Sequence, residues 1–101
     1  MSNHSKYQNL LDACKGLPPT PTAVVHPCDR SSLEGAMGAA RLGLIRPILV
    51  GPQHRIREVA ALAGIDLTDI PIVDAPHSHA AAEQSVELVL QGKAEALMKG
   101  S

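Results

Sequence analysis

Aromatic side chains are almost missing from this chain: one Tyr, no Trp and no Phe among 101 residues. Single-stranded nucleic acid is held by bases stacking on aromatic rings, so that class of function has almost nothing to work with. An excess of one charge is missing too. Nine Lys and Arg stand against ten Asp and Glu, spread along the chain with no basic run and no acidic tail. Nucleic acid is therefore a poor partner. No apolar stretch approaches the ~20 residues that cross a bilayer. Cysteine is scarce: Cys14 and Cys28 occur in unrelated settings with no signal peptide before them. Reduced thiols in a soluble cytoplasmic protein are the expectation.

What is present is aliphatic: Ala, Val, Leu, Ile and Met must make the core of a single modest domain. Chain organisation starts from Thr22 to Glu34. Ala23 to Val25 is a short run suited to a strand covered on both faces. A polar loop follows, and Ser31 with Glu34 three residues on fits a capping box at a helix start. Strand, turn and helix N-terminus together form a natural anion site, because the first helical amides are unpaired and carry partial positive charge.

The rest of the chain repeats this unit. Residues 1–5 are polar, and Tyr7, Leu10, Leu11 and Cys14 predict a lead-in helix over about 6–16, ended by Gly16 and by Pro18, Pro19 and Pro21. A second helix is expected over about 32–42, with Leu33, Ala36, Met37 and Ala40 inward and Gly35 and Gly38 allowing close approach to a sheet. Strands follow at 47–51, with Pro47 first, and at 71–75. Between them lies a third helix that starts with Pro52 at its first position and ends at Gly64. Its stripe is Ile56, Val59, Ala60, Leu62 and Ala63. Ser78 is the expected cap of a fourth helix with Ala82, Val86, Val89 and Leu90 inward, and 94–98 reads as the last strand. Strand starts near 23, 47, 71 and 95 recur at intervals of about 24 residues, each gap holding one helical stripe. That is the signature of βαβ units in an open parallel sheet of about four strands with covering helices, an α/β fold. The last strand has no helix after it, so the chain reads as an N-terminal fragment of something larger.

In open parallel sheets ligands bind beyond the carboxyl ends of the strands. This selects His26–Ser31, Gly51–His54, Ala75–His79 and Lys99–Ser101, which hold four of the five histidines. In the first cluster Arg30 and the helix amides suit phosphate and Asp29 suits orienting a donor. For Asp29 and Ser31 plain helix capping is the simpler reading. Cys28 with His77 is a conceivable nucleophile and base without a local signature, the alternative being a small buried thiol. His26, Cys28, His77 and His79 have no recognised zinc spacing. Lys99-Gly100-Ser101 offers a point charge, close backbone approach and a hydroxyl, or else merely a turn that ends a strand. Neither a phosphate-loop nor a dinucleotide fingerprint is present.

Three stretches carry a resemblance: Pro18 to Asp29, Gly43 to Pro52 and Ala94 to Ser101. Together they resemble the start of phosphate acetyltransferases and phosphate butyryltransferases, and most of all the form often fused behind a MaoC-type enoyl-CoA hydratase domain. The likeness covers nearly the whole chain from about Tyr7. It implies a two-domain α/β architecture like that of isocitrate and isopropylmalate dehydrogenases, with residues 1–101 as the N-terminal part of the first domain and the second domain absent. It also implies acyl transfer between coenzyme A and inorganic phosphate, with no metal and no cofactor besides coenzyme A as substrate, and a homodimer in the full-length protein. In that family the sequence continues past this point with a His-Thr pair, and the second domain supplies a Ser-Arg pair and an Asp credited with phosphate binding and thiol activation. The present chain is then expected to be inactive by itself and to contribute only binding residues: Lys99, Gly100 and Ser101 first, then Asp29 and Arg30. Single-domain relatives show Pro-Glu-Gly-Asp where this chain has Pro27-Cys28-Asp29, so the family assigns Cys28 no role. The competing expectations are a non-catalytic α/β module for assembly or small-anion binding, and an enzyme of the same fold group with a nucleotide cofactor.

Overall fold

The structure, a computed structural model, describes residues 16–100. The expected lead-in helix over 6–16, Cys14 and Ser101 lie outside them, apart from Gly16. That glycine has φ +85°. Among the described residues the chain alternates strand and helix: β1 (Thr20–Val25), α1 (Arg30–Arg41), β2 (Ile45–Gly51), α2 (Gln53–Ala63), β3 (Ile72–Asp74), α3 (Ser78–Leu90) and β4 (Ala96–Lys99). All pairings are parallel, and the strand order is β3-β2-β1-β4. The α/β expectation therefore holds.

Successive side chains of a strand point to opposite faces, and both faces are filled here. On one face Val24 and Leu49 meet Leu33, Ala36 and Met37 of α1 and Ile56 and Ala60 of α2. On the other face Ala23 and Val50 meet Ala81 of α3, with Leu88 and Val89 packed alongside. The chain moves from β1 to β2 to β3 in one direction and then crosses back to place β4 on the far side of β1. Right-handed crossovers put the helix of that return on the opposite face.

Several boundaries differ from those expected, each for a physical reason. β1 begins at Thr20 rather than Ala23 and contains Pro21, and β2 begins at Ile45, so Pro47 is its third residue. Parallel strands point alternate amides to opposite neighbours. Thr20 N–H and His26 N–H donate to Leu44 and Val50 on the β2 side, so the missing N–H of Pro21 faces β4, whose first residue pairs with Thr22. By the same alternation Pro47 faces β3, whose pairing starts only at Leu49. Both prolines thus sit where no ladder bond is lost. β3 is trimmed to three residues, and β4 is shifted to Ala96–Lys99.

The expected caps at Ser31 and Ser78 are replaced. Asp29 caps α1, accepting from Ser32 N–H at 3.1 Å, and Glu34 is bonded to Arg30 rather than closing a capping box. His77 caps α3, its Nδ1 accepting from Ala80 N–H at 3.2 Å. Gly64 does end α2, in the left-handed region at φ +70°. Pro52 stands at its N-cap, one position before the expected one.

Helix faces are corrected too. α3 buries Ala81 and Ser85, while Ala82, Val86 and Leu90 are exposed. Small residues let this helix lie close to Ala23. Ser85 is tolerated because its hydroxyl donates to Ala81 O at 2.7 Å. On α2, Leu62 is exposed and Ile56 and Ala60 carry the contact. Gly35 meets nothing within 4 Å, so it gives no close helix–sheet approach.

Candidate functional site at the carboxyl edge

A strand order that reverses has one place where neighbouring strands send their chains to opposite faces, and ligands of open α/β sheets bind in the crevice it leaves. Here the order reverses between β1 and β4, with α1 on one face of the sheet and α3, which leads into β4, on the other. The turn leaving β1 runs toward α1 on one face, and the strand end of β4 lies directly beside it.

The turn is built by His26, Pro27 and Cys28. His26 N–H extends the β1–β2 ladder one residue, donating to Val50 O at 2.7 Å. Cys28 N–H then donates back to His26 O at 2.9 Å, a three-residue turn whose centre is Pro27, buried and fixed in φ by its ring. His26 itself has φ +54°, one of two non-glycine residues with positive φ among those described. The tight turn delivers Asp29 to the start of α1, whose first turn holds no Asp or Glu. The positive end of the helix dipole is thus offset only by the Asp29 cap.

β4 closes the crevice from the other side. Val25 pairs with Lys99, and Gly100 N–H donates to Val25 O at 2.8 Å. Gly100 is pressed onto the turn. A Cβ placed on it would lie 2.6 Å from His26 O and closer still to Val25 O. Only a residue without a side chain fits there. Gly51 at the end of β2 approaches from the third direction, where an added Cβ would come within 3.4 Å of the His26 Cα and 3.3 Å of Ile56 Cδ1.

The structure thus brings Lys99 and Gly100 together with the His26–Cys28 turn and the Asp29 cap at one edge. Ser101 is outside the described residues. Arg30 is not aimed inward. It forms an exposed i,i+4 ion pair with Glu34, of the kind worth little in water. Asp29 holds the helix N-terminus, through Ser32 N–H and the Ser32 hydroxyl.

Cys28 is buried, and its sulfur would sit 3.7 Å from an added Cβ on Gly51. Burial pushes its thiol pKa up. The Arg55 charge nearby pulls the other way and Asp29 adds to the rise. Arg55 Nε donates to Cys28 O at 3.5 Å. A protonated buried thiol is a packing group rather than an activated nucleophile. Among the described residues no three His, Cys, Asp or Glu side chains gather to hold a metal ion. His77 and His79 stack with ring centroids 6.4 Å apart, Nδ1 of the first spent on capping α3 and the second bonded to Glu83.

Sequence reasoning missed Asp74. Pro52 offers α2 no capping side chain, and Asp74 at the end of β3 fills the gap, accepting from Gln53 N–H at 2.9 Å across 21 residues of sequence. A depression of about 400 Å³ lined by Pro52, Gln53, His54, Arg57 and Asp74 lies at this second helix start. Both helix starts thus hold a carboxylate, Asp74 at α2 and Asp29 at α1, and what sets the β1–β4 crevice apart is the reversal of strand order there. The backbone conformation of His26 was missed as well, since nothing local to the sequence marks it.

No protein-family model matches the chain. Curated proteins do. The chain is 54% identical over 97 residues to a protein of Rhizobium meliloti named phosphate acetyltransferase, covering 96% of this chain and 31% of that protein. It is 47% identical over 93 residues to one of the same name from Rickettsia typhi. Identity to a phosphate butyryltransferase of Clostridium beijerinckii is 34% over 94 residues. The chain spans under a third of the length of these relatives: 31%, 27% and 31% in turn.

Proposed function

The chain is homologous to phosphate acetyltransferases, and more distantly to phosphate butyryltransferases, over the stretch it shares with them, and from that premise we propose that it forms the phosphate-facing edge of an acyltransferase. The reaction moves an acetyl or butyryl group between coenzyme A and inorganic phosphate. The observation that carries this reading is the 54% identity to a protein of that name across nearly the whole chain. The contact between the β4 end and the β1 turn at the reversal of strand order supports it, because that edge suits a negatively charged ligand.

In the complete protein a base takes the proton of the coenzyme A thiol. The sulfur then attacks the carbonyl carbon of the acyl phosphate, and the carbon–oxygen bond to phosphate breaks to release inorganic phosphate. Negative charge grows on the carbonyl and phosphate oxygens, so preset cations and amides lower the barrier. In this chain Lys99, Gly100 and Ser101 take the binding role at phosphate. The α1 N-terminus, held by Asp29, faces the same ligand, and Arg30 reaches it by giving up a weak surface pair. The chemistry itself calls on groups of a second domain, in an architecture like that of isocitrate and isopropylmalate dehydrogenases. The full-length protein on this reading is a cytoplasmic homodimer without metal or further cofactor. No described helix is long and apolar enough to cross a membrane.

Two measurements test this. Inorganic phosphate added to the isotope-labelled chain is expected to shift the amide signals of Gly100 and the α1 first turn. Acetyl phosphate and coenzyme A mixed with the chain alone are expected to give no acetyl-CoA, while adding the remaining part of the Rhizobium meliloti relative restores turnover. Turnover by the chain alone overturns the division of labour. Phosphate binding with no turnover in the mixture favours a non-catalytic anion-binding module.

A further inference from the structure

We infer that His26 contacts the ligand at the β1–β4 crevice and holds an oxygen of a phosphate group beside Gly100, an inference that rests on the proposed function. Its backbone is fixed from three sides: by Val50 through the 2.7 Å bond to its N–H, by Gly51 packed on its Cα, and by Gly100 packed on its carbonyl group. Two of these neighbours are glycines, and at Gly100 a side chain has no room. A positive φ disfavours every residue with a Cβ, by about 1–2 kcal/mol in the left-handed region, and glycine alone is free of that cost. The fold nevertheless keeps a side chain between two glycines, at one of the two described non-glycine residues with positive φ. Strain of this kind persists where surroundings over-determine it, and it gathers at ligand sites.

The consequence for geometry is direct. Val24 and Val25 alternate between the two cores, and a left-handed residue next in line ends that alternation. His26 is half-buried at the carboxyl edge. It stands one residue beyond Val25, the register partner of Lys99. An imidazole N–H donor and an ammonium group on adjacent strand ends suit the tetrahedral oxygens of phosphate. Either the transferred phosphate or the phosphates of coenzyme A present that group.

The test uses the whole chain, with inorganic phosphate and coenzyme A as separate probes followed by nuclear magnetic resonance. In the unsubstituted chain the His26 ring and Gly100 amide signals are expected to move together. A response to inorganic phosphate assigns the site to the transferred group, and a response to coenzyme A alone assigns it to the thiol substrate. His26→Gly is expected to unfold at equal or higher urea concentration, since it relieves the left-handed residue, yet to bind the responding probe about tenfold more weakly or worse. A residue that merely shapes the turn would let glycine keep both properties, and unchanged affinity in His26→Gly overturns the inference while leaving the proposed function standing. Should His26→Gly fail to fold, His26→Asn, which also accepts this backbone region, must show the same loss, and native affinity in that variant overturns the inference. No response of the unsubstituted chain to either probe overturns both this inference and the anion crevice behind it.

Discussion

Gly100 is the residue on which the candidate site depends most. Its amide ties β4 to β1, and its missing side chain lets the strand end lie against the His26 carbonyl. Both contacts involve backbone atoms that cannot swing aside. Gly100→Ala is therefore expected to cost at least about 2 kcal/mol of stability, by analogy with overpacked interiors, and to move the urea midpoint down accordingly. A variant as stable as the parent would show that the β4 end can lift off the turn. Cys28 teaches the opposite lesson. Its place in the polar turn His26-Pro27-Cys28-Asp29 looks chemical in a sequence, and burial turns it into packing.

Helix starts and faces were the hardest elements to read. Asp29 caps α1 from inside its own turn, which a sequence can suggest, but Asp74 caps α2 from another strand, which it cannot. His77 takes the α3 cap through a ring nitrogen where a serine stood next to it as the more familiar choice. α3 shows why periodicity misled: Val86 and Leu90 fall on a plausible apolar stripe, yet the face that meets the sheet is the one with Ala81 and Ser85. Size rather than hydrophobicity selected that face, because β1 presents Ala23 beneath it. α1 gives a sharper check. Gly35 lies inside the helix with nothing near its Cα and no positive φ. Gly35→Ala should stabilise the chain by about 0.5–1 kcal/mol, read as a higher thermal midpoint. A loss of stability there would mean that the α1 surface is covered in solution.

For the whole molecule the decisive fact is that β1, the first described strand in sequence, is central in space, flanked by β2 and β4. Among the described residues β4 pairs on one side only, with Leu97 half exposed. Hydrogen exchange should therefore be slowest in β1 and at least about tenfold faster in β4. Equal protection of the two would indicate that another strand or copy covers the β4 edge. Spacing and composition alone determined the α/β class, the alternation of strand and helix, and the set of turns that could meet a ligand, since each follows from local periodicity and from where Gly and Pro interrupt it. Only the tertiary structure decided the strand order, and with it which two turns meet. Nothing between Asp74 and Ala96 says on which side of β1 the returning strand will settle. That choice depends on contacts made across the sheet, where α3 must find a face not already filled by α1 and α2.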